Sequence, residues 1–252
     1  MKPAPVGRQR ADLVVVEQGL APSREKARAL ILAGEVLQGD TPIDKAGELI
    51  APDAALRLRS EPMPFVSRGG VKLAHALATF GLDVAGKVAL DIGASTGGFS
   101  DCLLQRGVGR IYAIDVGHGQ LHWKVASDPR VVVIDRTNVR HLQPGALPEL
   151  ATFAVIDVSF ISLRLVLPVL PALLVPGAEV VALVKPQFEV GRQNVGKGGI
   201  VRDQAAREAA LAGIAEAAAG FGFSIIGQTQ SPITGGKGNI EFLLGLRAPV
   251  TP

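Results

Sequence analysis

Apolar and polar positions divide the chain into two stretches with different rhythms. In residues 8–60 a helix begins near Arg10 and a turn follows at Gly19 to Ser23. The apolar positions Ala27, Leu30 and Ile31 then share one face of a second helix. Ser23 is placed to cap that helix and Gly34 to close it. Val36 and Leu37, the Gly39-Asp40 turn and the alternation Leu56-Arg57-Leu58-Arg59 predict short strands, with Val14-Val15-Val16 as core. Pro62 and Pro64, in Glu61-Pro62-Met63-Pro64, favour an extended path, so residues 61–66 read as a linker.

After Lys87 the rhythm changes. Strand-like apolar runs recur at Val88 to Leu90, Ile111 to Ile114, Val131 to Ile134, Ala154 to Val158, Val180 to Val184, Ser224 to Ile226 and Phe242 to Leu246. Helical stretches lie between most of them. The pattern predicts an α/β domain over 67–248, with a mostly parallel sheet covered on both faces. Leu165 to Val184 is apolar enough to suggest a membrane span. Pro168, Pro171, Pro176, Gly177 and Glu179 divide it, which predicts a helix, a Pro-Gly turn and a buried strand instead.

Composition narrows the classes. A length of 252 residues accommodates two domains, and 48% hydrophobic with 19% charged residues describes globular protein. The net charge of +3 is a mild basic excess, which points to an anionic partner only where the charge is clustered. Cys102 is the single cysteine, so no internal disulfide and no thiolate metal set can form, and a reducing cytoplasm is expected. The apolar run Leu13 to Val16 is too short for a signal-peptide core, and no export signal is expected.

The basic residues do cluster. Arg8, Arg10, Arg24, Lys26 and Arg28 fall on the first two helices, where they could meet phosphates or form a solvated face. Together with Arg10-Ala-Asp12-Leu13, Gly19-Leu20, Ser23-Arg24, Ala27, Leu30-Ile31, Gly34 and Val36, the small α+β unit resembles the S4 RNA-binding domain. That resemblance implies RNA contacts for these five residues.

The segment Val88-Ala-Leu-Asp91-Ile-Gly93-Ala94-Ser95-Thr96-Gly97-Gly98-Phe99-Ser100 runs from a strand through a glycine loop into a helix. Ala94, Ser95 and Thr96 separate Gly93 from Gly97, a poor fit to the dinucleotide spacing G-x-G-x-x-G. The segment resembles the first motif of S-adenosylmethionine methyltransferases. The resemblance implies that the loop backbone packs on the cofactor's amino-acid portion while Asp91 helps bind its ammonium end. Asp115 ends the next strand, where a carboxylate can accept ribose hydroxyls. Asp135-Arg136-Thr137-Asn138 ends the third strand, at the edge expected to hold adenine; an Asx-type turn is the alternative there.

Four charged residues stand in short contexts beside apolar segments: Lys72 in Ser-Arg-Gly-Gly-Val-Lys-Leu, Asp157 in Ile-Asp-Val-Ser-Phe-Ile-Ser, Lys185 in Val-Lys-Pro-Gln-Phe-Glu and Glu241 in Gly-Asn-Ile-Glu-Phe. Asp157 and Lys185 fall at strand ends, where open α/β sheets place ligands. In order and context these segments resemble the TlyA group of FtsJ-like ribose methyltransferases, whose Lys-Asp-Lys-Glu tetrad maps onto Lys72, Asp157, Lys185 and Glu241. The resemblance implies a Rossmann-like domain that uses S-adenosylmethionine to methylate the 2′-hydroxyl of a cytidine in ribosomal RNA. Lys185 is then the residue contacting that hydroxyl, oriented by Asp157, with Lys72 and Glu241 completing the network. Only a neutral amine accepts a proton, so a general-base Lys185 and an orienting one both stay open.

Three features lie outside that core. Arg68, and the loop Gly191 to Gly199 with Arg192 and Lys197, are expected to reach RNA; a contact-free glycine loop is the alternative for the latter. Gly235-Gly236-Lys237-Gly238 lacks the spacing of a nucleotide P-loop. His118 and His122 could share a helical face, but no third ligand accompanies them and no metal is expected. Relatives acting on both ribosomal subunits tend to carry extra terminal residues. This chain stops soon after Arg247, so large-subunit RNA is the expected target. The competing classes are a membrane-active haemolysin, a label the family has carried, and a non-catalytic assembly factor; the chain shows no long amphipathic cationic helix.

Overall fold

The computed structural model describes residues 7–60 and 63–250. They form two compact units that divide between Met63 and Pro64. Of the expected linker, Glu61 and Pro62 lie outside the described residues.

In the first unit, β1 (Gln9–Arg10) leads into α1 (Ala11–Glu17), which is followed by α2 (Arg24–Leu32), β2 (Val36–Gln38), β3 (Thr41–Pro42), β4 (Leu49–Ile50) and β5 (Leu56–Leu58). The Ser23 hydroxyl accepts the Lys26 N–H and starts α2, and Gly34, at φ 68°, ends it in a left-handed conformation. Ala11, Val14 and Val15 of α1 pack on Ala27 and Ile31 of α2 and on Val36 of β2. Strands β3, β2 and β5 form an antiparallel sheet in that order, and β1 pairs with β4. Asp12 is buried among these apolar groups, and its carboxylate takes Arg10 Nε at 3.0 Å and Arg24 Nε at 2.9 Å.

The second unit contains α3 (Gly69–Phe80), β6 (Val88–Ile92), α4 (Gly98–Gln105), β7 (Arg110–Ile114), α5 (Trp123–Ala126), β8 (Val131–Ile134), β9 (Ala151–Ile156), β10 (Leu174–Val184), α6 (Pro186–Glu189), α7 (Gln204–Gly220), β11 (Ser224–Gln230) and β12 (Phe242–Arg247). Its seven-stranded sheet has the order β11-β12-β10-β9-β6-β7-β8. Pairing is parallel from β10 through β8, and β12 runs antiparallel to both of its neighbours. The fold is therefore α/β and Rossmann-like, as the recurring apolar runs predict.

Both faces of the sheet are covered, which is why its strands read as nearly continuous apolar runs. Ala89, Ile111, Val155 and Leu183 face Leu73 and Leu77 of α3 and Leu103 of α4. Leu90, Tyr112, Ile156 and Ala182 face the other way, toward Ile214 and Ala218 of α7. Alternate residues of each strand thus serve opposite cores.

Two local expectations need correction. Pro176-Gly177 does not turn the chain: both residues lie within β10, where the register against β9 shifts between Leu174 and Glu179 and Gly177 takes φ 77°. A bulge absorbs them, and short 3-10 turns at Leu163–Leu165 and Leu167–Ala172 replace the expected helix. His118 and His122 share no helix either. His118 lies in the turn after β7, and His122 caps α5 by accepting the Lys124 N–H.

Candidate active site

The sheet reverses its winding between β6 and β9, since β6 continues to β7 on one side and neighbours β9 on the other. Open α/β sheets bind ligands at such a point, outside the carboxyl ends of the strands. Gly93 follows β6 with φ 83°, and a Cβ there would lie 2.6 Å from the Asp157 carbonyl oxygen. Only glycine lets this loop close on the end of β9.

Backbone amides arm the loop. Ser95, a non-glycine residue at φ 48°, donates its N–H to Asp115 Oδ2 at 2.8 Å, and Gly117 donates to Asp115 Oδ1 at 2.7 Å. Both carboxylate oxygens are thereby fixed at the edge of a cavity of about 470 Å³ lined also by Val116, Thr137, Asn138, Asp157 and Phe160. A smaller cavity adjoins it along Gly93, Ala94, Ser95, Thr96, Gly98 and Phe99, and Arg68 and Lys72 also line it. Together they could hold a nucleoside bearing a short polar chain.

Asp91 lies beneath the loop and lines none of these cavities. Its Oδ2 accepts the Ser100 hydroxyl at 2.6 Å, while Oδ1 is buried without a partner. Burial, reinforced by the charges of Asp157 and Asp115, pushes its carboxyl up to about 7.

Of the four residues expected at the third strand end, Thr137 and Asn138 reach the larger cavity. The Asn138 side chain also accepts the Arg140 N–H, so it caps a turn as an Asx residue does. Asp135 turns away to take the Gly119 N–H at 2.8 Å and His118 Nδ1 at 2.9 Å, contacts that lower its carboxyl below the ordinary value. Arg136 holds φ 52° and donates its N–H to the Gly117 carbonyl.

The four charged candidates meet around a third cavity. Lys185 Nζ, just beyond β10, is 2.6 Å from Asp157 Oδ1, just beyond β9. That oxygen makes no directed hydrogen bond, so the contact is an ion pair; the directed bond from Lys185 goes to Ser159 Oγ at 2.9 Å. Lys72, from the first turn of α3, donates to Glu241 Oε2, and both side chains are buried. Asp157 borders all three cavities. The arrangement can orient a weak nucleophile beside a bound electrophile and neutralise charge that moves between them.

Three participants escape a reading of charge and glycine alone. Ser159 and Phe160 sit directly after Asp157-Val158, and Phe160 stands 92% exposed at φ 64° between the large cavity and the charged one. Asn239, buried, accepts the Val201 N–H at 3.0 Å and donates to the Gly199 carbonyl at 2.8 Å. Placement beside the charged segments is the only signal these residues carry.

The RNA-contact candidates separate into two kinds. Arg10 and Arg24 are tied to Asp12, whereas Arg8, Lys26 and Arg28 are exposed and carry no ion pair among the described residues. Arg68 and Lys197 are likewise exposed and unpaired among the described residues. Arg192 falls in the 3-10 turn Arg192–Asn194, and its side chain lies outside the described part.

Sheet order, switch-point loop and acidic residue after the second parallel strand together define a Rossmann-like methyltransferase. The chain belongs to the FtsJ-like methyltransferase family, whose model matches residues 65–248, and it carries an S4 domain matched over residues 9–55. It is 52% identical over 246 residues to the Bacillus subtilis protein provisionally named rRNA methyltransferase YqxC, covering 96% of this chain and 86% of that one. It is 44% identical over 241 residues to 16S/23S rRNA (cytidine-2'-O)-methyltransferase TlyA of Mycobacterium tuberculosis, covering 95% and 90%. A solved structure from Streptococcus thermophilus, provisionally named a hemolysin, superposes with a TM-score of 0.76 at 46% identity, covering 98% of this chain and 90% of that one.

Proposed function

We propose that the chain transfers the methyl group of S-adenosylmethionine to the ribose 2′-hydroxyl of a cytidine in ribosomal RNA, with the large subunit as the principal target and the small subunit as a second. The observation that carries this reading is the convergence of Lys185-Asp157 and Lys72-Glu241 on one cavity that adjoins the glycine loop through Asp157. Membership of the family and the named activity of the M. tuberculosis relative support it.

The cavities fit the cofactor. Asp115 would accept the ribose hydroxyls; Val116, Thr137 and Asn138 would enclose the adenine; and the loop Gly93 to Phe99 would take the methionine portion. Asp91, buried beneath that loop and outside the cavity lining, would supply negative charge toward the ammonium without lining its pocket. Asp135 and Arg136 would hold the turn that shapes the adenine edge. The bound cofactor supplies a sulfonium methyl group.

A ribose hydroxyl is a weak nucleophile, so alignment for in-line attack and removal of its proton carry the catalysis. Lys185 Nζ meets the hydroxyl, and Asp157 with Ser159 fixes the lysine rotamer. Lys72 and Glu241, paired with each other, line the same cavity. The unit spanning residues 8–60 delivers RNA through Arg8, Lys26 and Arg28, with Arg10 and Arg24 placed by Asp12. Residues 61–66 join it to the catalytic unit, 67–248. No described helix is long and apolar enough to cross a membrane, and a cytoplasmic site of action follows from the ribosomal substrate.

The test is methyl transfer from labelled S-adenosylmethionine to unmodified ribosomal RNA from both subunits, followed by mapping of ribose methylation. Label at cytidine 2′-oxygens is the expected result. Label on a base, or none on either RNA, overturns the reading.

A further inference from the structure

We infer that Arg68 and Lys237 form a phosphate clamp at the mouth of the charged cavity, gripping an RNA phosphodiester beside the target ribose; the inference deepens the proposed function and rests on it.

The balance of charge around the cavity leads to this clamp. Lys72 and Lys185 are each neutralised, by Glu241 and by Asp157. Lys237 lines the same cavity, is exposed, and has no carboxylate within 4.0 Å among the described residues. Arg68 borders the adjoining cavity and is equally without an acidic partner among the described residues. Its Nη2 lies 3.8 Å from where a Cβ on Gly236 would stand, so its guanidinium abuts the residue preceding Lys237. Lys237 Nζ lies 4.0 Å from where a Cβ on Gly199 would stand, so both cations border the rim formed by the two glycine loops, and neither is neutralised there; an anion taken up at that rim gains attraction from each.

The loop is built to hold this position. Gly235 donates its N–H to the Asn239 carbonyl at 2.8 Å, and Gly238 donates to the Gly235 carbonyl at 2.9 Å. Gly235 packs so closely on the Glu241 carboxylate that a side chain there would collide with it, so the turn carrying Lys237 is keyed to the buried Lys72-Glu241 pair. Asn239 staples the turn to a second glycine loop through Gly199 and Val201. The Gly191–Gly199 loop and the Gly235–Gly238 turn, distant in sequence, thus form one rim.

Substrate chemistry supplies the occupant. The 2′-oxygen and the 3′-phosphate of a nucleotide are on adjacent ribose carbons, so a cavity that presents the 2′-hydroxyl to Lys185 must receive a phosphate next to it. The tetrad has no net charge to offer that phosphate. Lys237 and Arg68 do, and Lys237 is a positioning residue on this account, acting on the substrate's placement without touching the transferred methyl group.

The experiment compares wild type, Lys237→Gln, Lys237→Arg and Arg68→Gln in binding and methylation of unmodified ribosomal RNA across a salt series. S-adenosylmethionine affinity and melting temperature serve as controls for folding. Lys237→Gln is expected to raise KM for RNA about tenfold, and to reduce the slope of log K against log salt by about 1. Cofactor affinity stays at the wild-type value, and Lys237→Arg restores both RNA readouts. An unchanged KM and salt slope in Lys237→Gln, with wild type methylating the RNA, overturns the clamp and leaves the proposed function standing. A Lys237-dependent salt slope in a wild-type protein that binds the RNA without methylating it supports the clamp and overturns the proposed function.

Discussion

Lys185 Nζ and Asp157 Oδ1 lie 2.6 Å apart across the ends of two adjacent parallel strands, although 28 positions separate them in the numbering, 185 minus 157. The sheet brings them together: Ala182 of β10 is level with Ile156 of β9, so Lys185 emerges two residues beyond the level of Asp157, beside Ser159, and its side chain reaches both. Asp157 also touches the glycine loop through its carbonyl, and so links the glycine-loop cavity and the lysine in one residue.

Lys185→Ala should therefore abolish methyl transfer, by about a hundredfold or more, while cofactor affinity stays nearly unchanged. Asp157→Asn keeps the shape but loses the ion pair, and should reduce the rate with less effect on RNA affinity. Single-turnover methylation and calorimetric titration with S-adenosylmethionine separate these effects. Wild-type turnover by Lys185→Ala would remove the lysine from the mechanism.

Gly93→Ala tests the floor of the proposed cofactor site. Its Cβ would sit 2.6 Å from the Asp157 carbonyl oxygen at φ 83°, so either the loop or the end of β9 must move. The variant should lose at least about tenfold in cofactor affinity, and about 1–3 kcal/mol of stability. Equilibrium binding together with thermal melts reads both; full cofactor affinity in a folded variant contradicts the assignment.

Much of this site is legible in sequence because its parts are local. Strand, glycine loop and helix from Val88 to Ser100 follow from spacing, and Asp157 and Lys185 follow from apolar runs that stop at a charge. Pairing is not local. Nothing near Lys72 announces Glu241, and nothing near Gly199 announces Asn239, because each contact is closed by tertiary packing. Pro176-Gly177 misleads for a related reason: dipeptides that usually turn a chain become a bulge when the strand is held on both sides of them, here by β9 at Leu174 and at Glu179. Asp135 reads as a cofactor contact by position, yet the Gly119 amide claims its carboxylate.

Asp91 carries a pH signature. Its carboxyl titrates at about 7 in the fold against an ordinary 3.8, chiefly because burial disfavours the charge, so between these values the folded state binds the extra proton. Its contribution to stability is full at low pH, declines as pH rises from about 4, and is lost through about 7. Asp91→Asn should flatten that decline in the cofactor-free protein, seen as a smaller drop in melting temperature between pH 5 and 8. An ammonium placed near the orphaned Oδ1 would favour the ionised form. Cofactor binding near pH 6.5 should then release a proton, measurable as a binding enthalpy that varies with buffer ionisation heat; an enthalpy independent of buffer counts against that contact.

Asp12 makes the opposite case, and it separates charge from placement in the S4 unit. Hydrogen bonds from Arg10, and then from Arg24, hold its carboxyl down at about 2, so it stabilises the unit above about pH 4 and loses that effect as pH falls through 2. Asp12→Ala leaves two arginines without their anchor and should cost about 1–3 kcal/mol, reduced by the half-exposed setting of both guanidinium groups. The substitution also makes the unit more basic. If RNA affinity followed net charge alone, Asp12→Ala would bind more tightly; if the arginines act by position, it binds more weakly despite the added charge. Weaker binding is the expected outcome, read by filter binding to ribosomal RNA at fixed salt, and tighter binding would mean that Asp12 serves the fold of this unit and not its recognition of RNA.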